Sequence, residues 1–152
     1  MSAAQEPRTK VIARKSREKS GQKTAERLRA AGLRPTRQRV ELAGLLFGSG
    51  DRHLTAESLH DEARAAGFKI SLATVYNTLH QFTGAGLLRQ VMVDAARSYF
   101  DTNVDAHQHF YTEEDGMLID IPGETIQVAG VPQPPKGMAL DRVDVVIRLK
   151  RV

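Results

Sequence analysis

Residues 71–86 admit few conformations. Leu72, Val75, Leu79 and Phe82 recur at the three- and four-residue steps that gather side chains on one side of an α-helix; Ser71 precedes them as a cap, and Gly84-Ala85-Gly86 ends the run. At about 100° per residue the opposite side carries Ala73, Thr74, Asn77 and Gln81, with Tyr76 at the flank. That side is small, polar and uncharged near the N-terminal end. A helix that reads base edges needs small residues for close approach and amides or hydroxyls for hydrogen bonds, with phosphate-binding charge supplied elsewhere. An ordinary solvent-facing helix shares this composition, so the neighbours decide. Residues 87–93 and 97–101 have strand composition and are joined by Asp94-Ala95-Ala96, which places a hairpin directly after the helix. Helices followed by a two-stranded hairpin describe a winged helix-turn-helix, whose last helix enters the major groove.

Three helical segments precede that helix. Leu28 and Ala31 share a face after Thr24, which can cap, and Gly32 stops the segment. Pro35-Thr36 opens a second, in which Val40, Ala43, Leu46 and Phe47 recur at helical spacing before Gly48-Ser49-Gly50. Thr55 caps a third, with Leu59, Ala63 and Ala66 inward and Leu54 placed to staple against Leu59. Residues 1–22 lack periodicity and are rich in Lys, Arg, Ser and Gln, which predicts a flexible basic arm. Residues 1–50 hold twelve Lys and Arg against four Glu, whereas the remainder is net acidic. A basic third ahead of an acidic module fits a nucleic-acid contact surface, although a solvated tail has the same composition.

The domain plan is an arm over 1–22, a winged helix over 23–101, and a small α/β, mostly β, dimerisation and sensing domain over 105–152, an α+β chain overall. In the last, residues 107–112 and 117–121 read as strands around the acidic turn Glu113-Glu114-Asp115-Gly116. Residues 141–151 form a third strand with Val143, Val145 and Ile147 alternating. About 50 residues make a small core, and burial against a second copy remedies that while presenting two reading helices to a palindromic duplex. His107 and His109, one residue apart, fall on one face of a strand, where two imidazoles can share a metal ion.

Absences bound the chemistry. There is no cysteine among the 152 residues, which excludes disulfides, thiolate zinc, a structural four-cysteine zinc site and a cysteine nucleophile. Any metal must be held by His, Asp, Glu or backbone oxygen. The sequence contains no phosphate loop, no HExxH spacing and no supported nucleophile, so no enzyme is expected. Its apolar runs fall far short of the roughly 18 residues that span a bilayer, and with no apolar signal core at the N-terminus a cytoplasmic protein is expected.

The strings Ala31-Gly32-Leu33-Arg34-Pro35-Thr36-Arg37-Gln38-Arg39, His53-Leu54-Thr55-Ala56-Glu57, Leu72-Ala73-Thr74-Val75-Tyr76 and Ala85-Gly86-Leu87 resemble the ferric uptake regulator (Fur) family. Residues 71–81 and Tyr99-Phe100-Asp101-Thr102-Asn103-Val104 look most like its rhizobial branch, the iron response regulators called Irr. The resemblance implies a homodimeric transcriptional regulator that binds an inverted-repeat operator with an affinity modulated by metal or haem. It implies DNA contacts from Arg34, Arg39, Ala73, Thr74, Tyr76 and Asn77. Asn77 stands where most Fur proteins carry Arg, and it favours adenine where Arg favours guanine.

The resemblance also implies an inter-domain site for Fe, Mn or Zn built from His53, Asp101, His107, His109 and Asp120, with two Asp where Glu is common. Thr112 and Asp115 occupy the positions of the family's first cysteine pair. Irr proteins respond to haem through a His-rich run, which here is His107-Gln108-His109. The other reading implied by the same family is a conventional metal-activated repressor sensing Fe, Mn or Zn through the His/Asp site.

Overall fold

The protein is represented by a computed structural model that describes residues 8–152, with side chains from Ile12 onward. Four helices come first: α1 (Arg8–Ala30), α2 (Arg37–Phe47), α3 (Ala56–Ala65) and α4 (Leu72–Gly84), with the short strand β1 (His53–Leu54) between α2 and α3. The wing follows as β2 (Arg89–Met92) and β3 (Ser98–Asp101). The C-terminal sheet is β4 (Gln108–Thr112), β5 (Met117–Ile121) and β6 (Val146–Leu149). This is the expected α+β plan with an N-terminal winged helix.

The helix starts follow from their caps. Thr36 accepts a hydrogen bond from the Arg39 N–H, Ser71 accepts one from Thr74, and Thr55 forms a capping box with Ser58. Gly32, Gly67 and Gly86 close α1, α3 and α4 at φ of 79°, 82° and 78°, the left-handed conformation that other residues adopt at a steric cost. The core packs Leu28 of α1, Leu42 and Leu46 of α2, Leu59 of α3, and Val75, Leu79 and Phe82 of α4 against Leu54, Leu88 and Phe100. Leu72, expected on the buried stripe of α4, is the first residue of that helix and is 36% exposed. Thr78 is buried instead, its hydroxyl satisfied by the carbonyl of Thr74.

The N-terminus departs from expectation. The helix that ends at Ala30 begins at Arg8, so most of the expected arm is helical; residues 1–7 lie outside the described residues. Thr24 is an interior helical residue that donates to the carbonyl of Ser20 and caps nothing. Residues 8–30 contain no proline and are dominated by Lys, Arg, Ala, Gln and Glu, which sustain a helix without an apolar face.

Two three-stranded sheets complete the fold, ordered β1-β3-β2 and β5-β4-β6. The wing pair is flanked by β1, which runs antiparallel to β3 with His53 opposite Asp101. In the second sheet β4 and β5 are antiparallel, while β4 and β6 are parallel. The expected third strand over 141–151 is confined to Val146–Leu149, and the proline-rich residues 123–137 contain neither helix nor strand. A second core cluster of Val91, Val93, Tyr99, Tyr111 and Leu118 joins one face of the wing to one face of the C-terminal sheet. Strand parity therefore decides what meets at the junction.

Candidate metal centre and nucleic-acid face

On the wing sheet, His53, Asp101 and Arg89 lie in one row across β1, β3 and β2. Alternation puts that row on the same face as Val91 and Tyr99, toward the C-terminal sheet. On the C-terminal sheet His109 lies opposite Asp120, on the face that carries Tyr111 and Leu118. The two rows face each other, and His107, just ahead of β4, joins them. Ligand atoms from His53, Asp101, His107, His109 and Asp120 all lie within 4.8 Å of one another.

Asp101 is the hub. Its Oδ2 meets the Nε2 atoms of His107, His53 and His109 at 2.7, 3.1 and 3.1 Å. Asp120 Oδ1 meets the same three nitrogens at 2.7 Å for His53 and 3.3 Å for both His107 and His109. Asp101, His107 and His109 are buried, His53 is half-buried, and Asp120 opens to solvent. Burial by itself raises the Asp101 carboxyl, but hydrogen bonds from His109, His53 and the Asn103 N–H outweigh it and hold the group well below the usual carboxylate range. His53 is raised above its ordinary value, chiefly by its hydrogen bond with Asp101 and against the opposing effect of burial.

The tautomer of His107 shows what the cluster requires. His107 Nδ1 lies 2.6 Å from the carbonyl oxygen of Asp105, so Nδ1 carries the proton and donates. Its other ring nitrogen, Nε2, lies 2.7 Å from Asp101 Oδ2. A proton on Nε2, or a metal ion bound by both groups in its place, satisfies that contact. Three imidazole nitrogens and two carboxylate oxygens form a borderline donor set that suits Fe, Mn or Zn. Bonds of about 2.0–2.2 Å to one ion separate neighbouring donors by about 3 Å, the spacing found here. The residues fit such a metal.

The supports of the cluster escaped the sequence. Arg89, buried, donates from Nη1 to the carbonyls of Asp105 and His107 at 3.3 and 3.1 Å and pairs through Nη2 with Asp144. It therefore ties the wing to the loop that orients His107 and to the approach of β6. Its charge among Leu87, Leu88, Val91 and Val93 marks it as a residue in need of a partner but does not say which. Arg52, next to His53, reaches the carbonyl of Leu45 at the end of α2 and Glu62 on α3. The two-residue β1 was also missed.

The residues expected at DNA lie around α4. Ala73 and Asn77 are exposed, while Thr74 and Tyr76 are half-buried. The Tyr76 hydroxyl donates to Glu57 Oε1 at 2.6 Å, which fixes the ring at the edge of the cleft between α4 and the wing. Arg34 is exposed in the turn after α1. Arg39 is engaged within the protein: Nη2 donates to Gln81 Oε1 at 3.0 Å and Nη1 to the Arg34 carbonyl at 2.8 Å. It braces the Arg34 turn against α4. Among the described residues no helix is long and apolar enough to cross a membrane.

Residues 30–146 match the family model described as the ferric uptake regulator family. The chain belongs to the ferric uptake regulator family. It is 34% identical over 94 residues to the ferric uptake regulation protein of Pseudomonas aeruginosa, an alignment covering 61% of this chain and 70% of that one. It is 33% identical over 93 residues to the peroxide-responsive repressor PerR of Staphylococcus aureus, covering 61% and 62%. Among solved structures, the ferric uptake regulator from P. aeruginosa with manganese superposes with a TM-score of 0.64 at 27% identity, over 84% of this chain and 97% of that one. In this ferric uptake regulator family member the turn between β4 and β5 carries no cysteine, and its Asp115 pairs with Arg151 at 2.9 Å.

Proposed function

We propose that the protein is an iron-responsive, DNA-binding transcriptional regulator of the Irr/Fur type that acts as a homodimer on an inverted repeat. The observation that carries the metal response is the convergence of His53, His107 and His109 on Asp101 and Asp120, across the junction of two sheets. His53 and Asp101 belong to the DNA-binding half, His107, His109 and Asp120 to the C-terminal half. A divalent ion held by all five would fix one half against the other and so set the spacing of two α4 helices in a dimer. When bound it supplies charge that replaces the protons of the cluster. The chain's own residues do the rest: the Asp105 carbonyl accepts from His107 Nδ1 and orients the ring, Arg89 holds the His107 backbone carbonyl, and Arg52 links His53 to α2 and α3.

Dimerisation is supported by the outer face of the C-terminal sheet, where Met117, Ile119, Ile147 and Leu149 are between 37% and 52% exposed around half-buried Phe110. An apolar sheet face of that kind calls for a partner. In α4, Asn77 and Thr74 are placed to hydrogen-bond base edges, Ala73 to allow approach, and Tyr76 to pack against bases, while Arg34 enters the minor groove and Arg39 holds its turn. Asn77, in place of Arg, supports the Irr branch.

The second reading, a metal-activated repressor sensing Fe, Mn or Zn, is favoured by the burial of His107 and His109. Both aim Nε2 at Asp101, which leaves no approach for a porphyrin at that pair. Fluorescence anisotropy on duplexes selected from a random pool tests both, run metal-free, with Mn(II) and with haem. Binding by metal-free protein that haem releases supports the Irr type, and binding that appears only with Mn(II) supports the metal-activated type. Failure to bind any duplex under all three conditions refutes both.

A further inference from the structure

We infer that α1 is a second DNA-binding element, which grips duplex phosphates outside the segment read by α4. The inference rests on the DNA-binding reading above and goes beyond it, since residues 8–29 precede the part of the chain that matches the family.

From Ile12 to Ser20 every residue of α1 is exposed, and among the described side chains the helix buries one fully only at Leu28. Most helical stability in proteins comes from packing an apolar face, and this stretch has none. Lys15, Lys19 and Lys23, four residues apart, form one ridge with about 6 Å of axial rise between successive members. All three are exposed, and among the described residues none has an ion-pair partner; Arg14 by contrast is matched by Glu18 at 3.2 Å. Like charges at this spacing work against a helix. A polyanion converts the same ridge into a stabilising contact.

The ridge continues to Arg27, whose guanidinium stacks 3.8 Å over the Phe47 ring and anchors α1 on α2. At its C-terminal end α1 runs into the turn that carries Arg34, and Arg39 ties that turn to Gln81 of α4. The cationic helix thus starts beside the DNA-reading element and projects from it. Ile12 and Ala13 are its only apolar residues between 12 and 20, so an apolar protein partner has nothing to hold, whereas the charge fits a phosphate backbone.

The test compares the full chain with the Lys15→Gln/Lys19→Gln/Lys23→Gln variant across a salt series on a 60-base-pair duplex whose centre carries a site selected from a random pool by the wild-type protein. Helix content is checked by circular dichroism, and a Lys→Arg triple serves as the charge-preserving control. Three released phosphate contacts lower the slope of log K against log salt by about 2.7, and nuclease protection should shorten at both ends of the bound site. The Arg triple should keep the original slope. An unchanged slope and footprint in the Gln variant overturn the inference while leaving DNA binding by α4 intact. Wild type that binds no duplex at low salt refutes the DNA reading itself. Binding of wild type but not the Gln variant to vesicles with anionic phospholipid, with the DNA slope unchanged, would assign the ridge to a lipid surface and also overturn it.

Discussion

Asp101→Asn isolates the charge at the hub of the cluster. Asparagine has nearly the same shape, and its side-chain oxygen can still accept the Asn103 N–H that now binds Oδ1 at 2.9 Å. What disappears is the anionic oxygen shared by His53, His107 and His109. Metal-free protein should lose about 3 kcal/mol, because removing one member of a buried charged set leaves the rest uncompensated. Loss of an anionic ligand should also weaken metal binding by at least about 100-fold, the upper end of what even outer supports of a metal site contribute. With Mn(II) or Zn(II) in excess, that factor removes about 2.7 kcal/mol of ligand-linked stabilisation. At about 2–4 °C per kcal/mol for a chain this long, the metal-induced rise in Tm should shrink by about 5–11 °C. Calorimetric melts of both proteins, with and without metal, read both effects. A variant that keeps the full metal-induced rise would refute the claim that Asp101 is a ligand.

Three further outcomes follow from the same geometry. Metal affinity should rise with pH between about 6 and 8, because the ion displaces protons and His53 holds its proton above the ordinary imidazole range through its hydrogen bond to Asp101; competition titrations showing no pH dependence would contradict this. Arg34→Ala should weaken duplex binding and lower the salt slope by about 1, with melting unchanged, since Arg34 is exposed; an unchanged slope removes it from the DNA contacts. Arg89→Met should cost about 3 kcal/mol in stability by leaving Asp144 and the carbonyls of Asp105 and His107 without their cation, and should weaken metal binding through loss of the His107 orientation; unchanged melting and metal affinity would show the clamp to be idle.

How far the sequence carries can be seen residue by residue. The stripe of Val75, Leu79 and Phe82, the helix opening at Pro35-Thr36, the caps at Thr55 and Ser71, and the hairpin around Asp94 are local signals, and the structure places all of them where the pattern does. The length of α1 was not legible, because its residues lack the periodicity that marks a packed helix, and propensity alone extends it to Arg8. β1 is two residues long, too short for alternation, and exists because His53 and Leu54 pair with Asp101 and Phe100. The site divides in the same way. His107 and His109 are close in sequence and readable as a pair. His53, Asp101 and Asp120 come together through register in two separate sheets, which spacing cannot encode and only the family resemblance suggested. Arg89 and Arg52 act through backbone carbonyls and single carboxylates far away in the chain, contacts that leave no pattern.

The central claim is that one divalent ion is held by these five side chains at the junction of the two halves. X-ray absorption at the metal edge of full-length protein loaded with one equivalent of Mn(II) or Zn(II) tests it most directly. The account predicts a nitrogen and oxygen shell at about 2.0–2.2 Å, with the multiple-scattering signature of imidazole, reduced in amplitude by His109→Ala. A hydrated ion without imidazole scattering, or a spectrum that His109→Ala leaves unchanged, would contradict it.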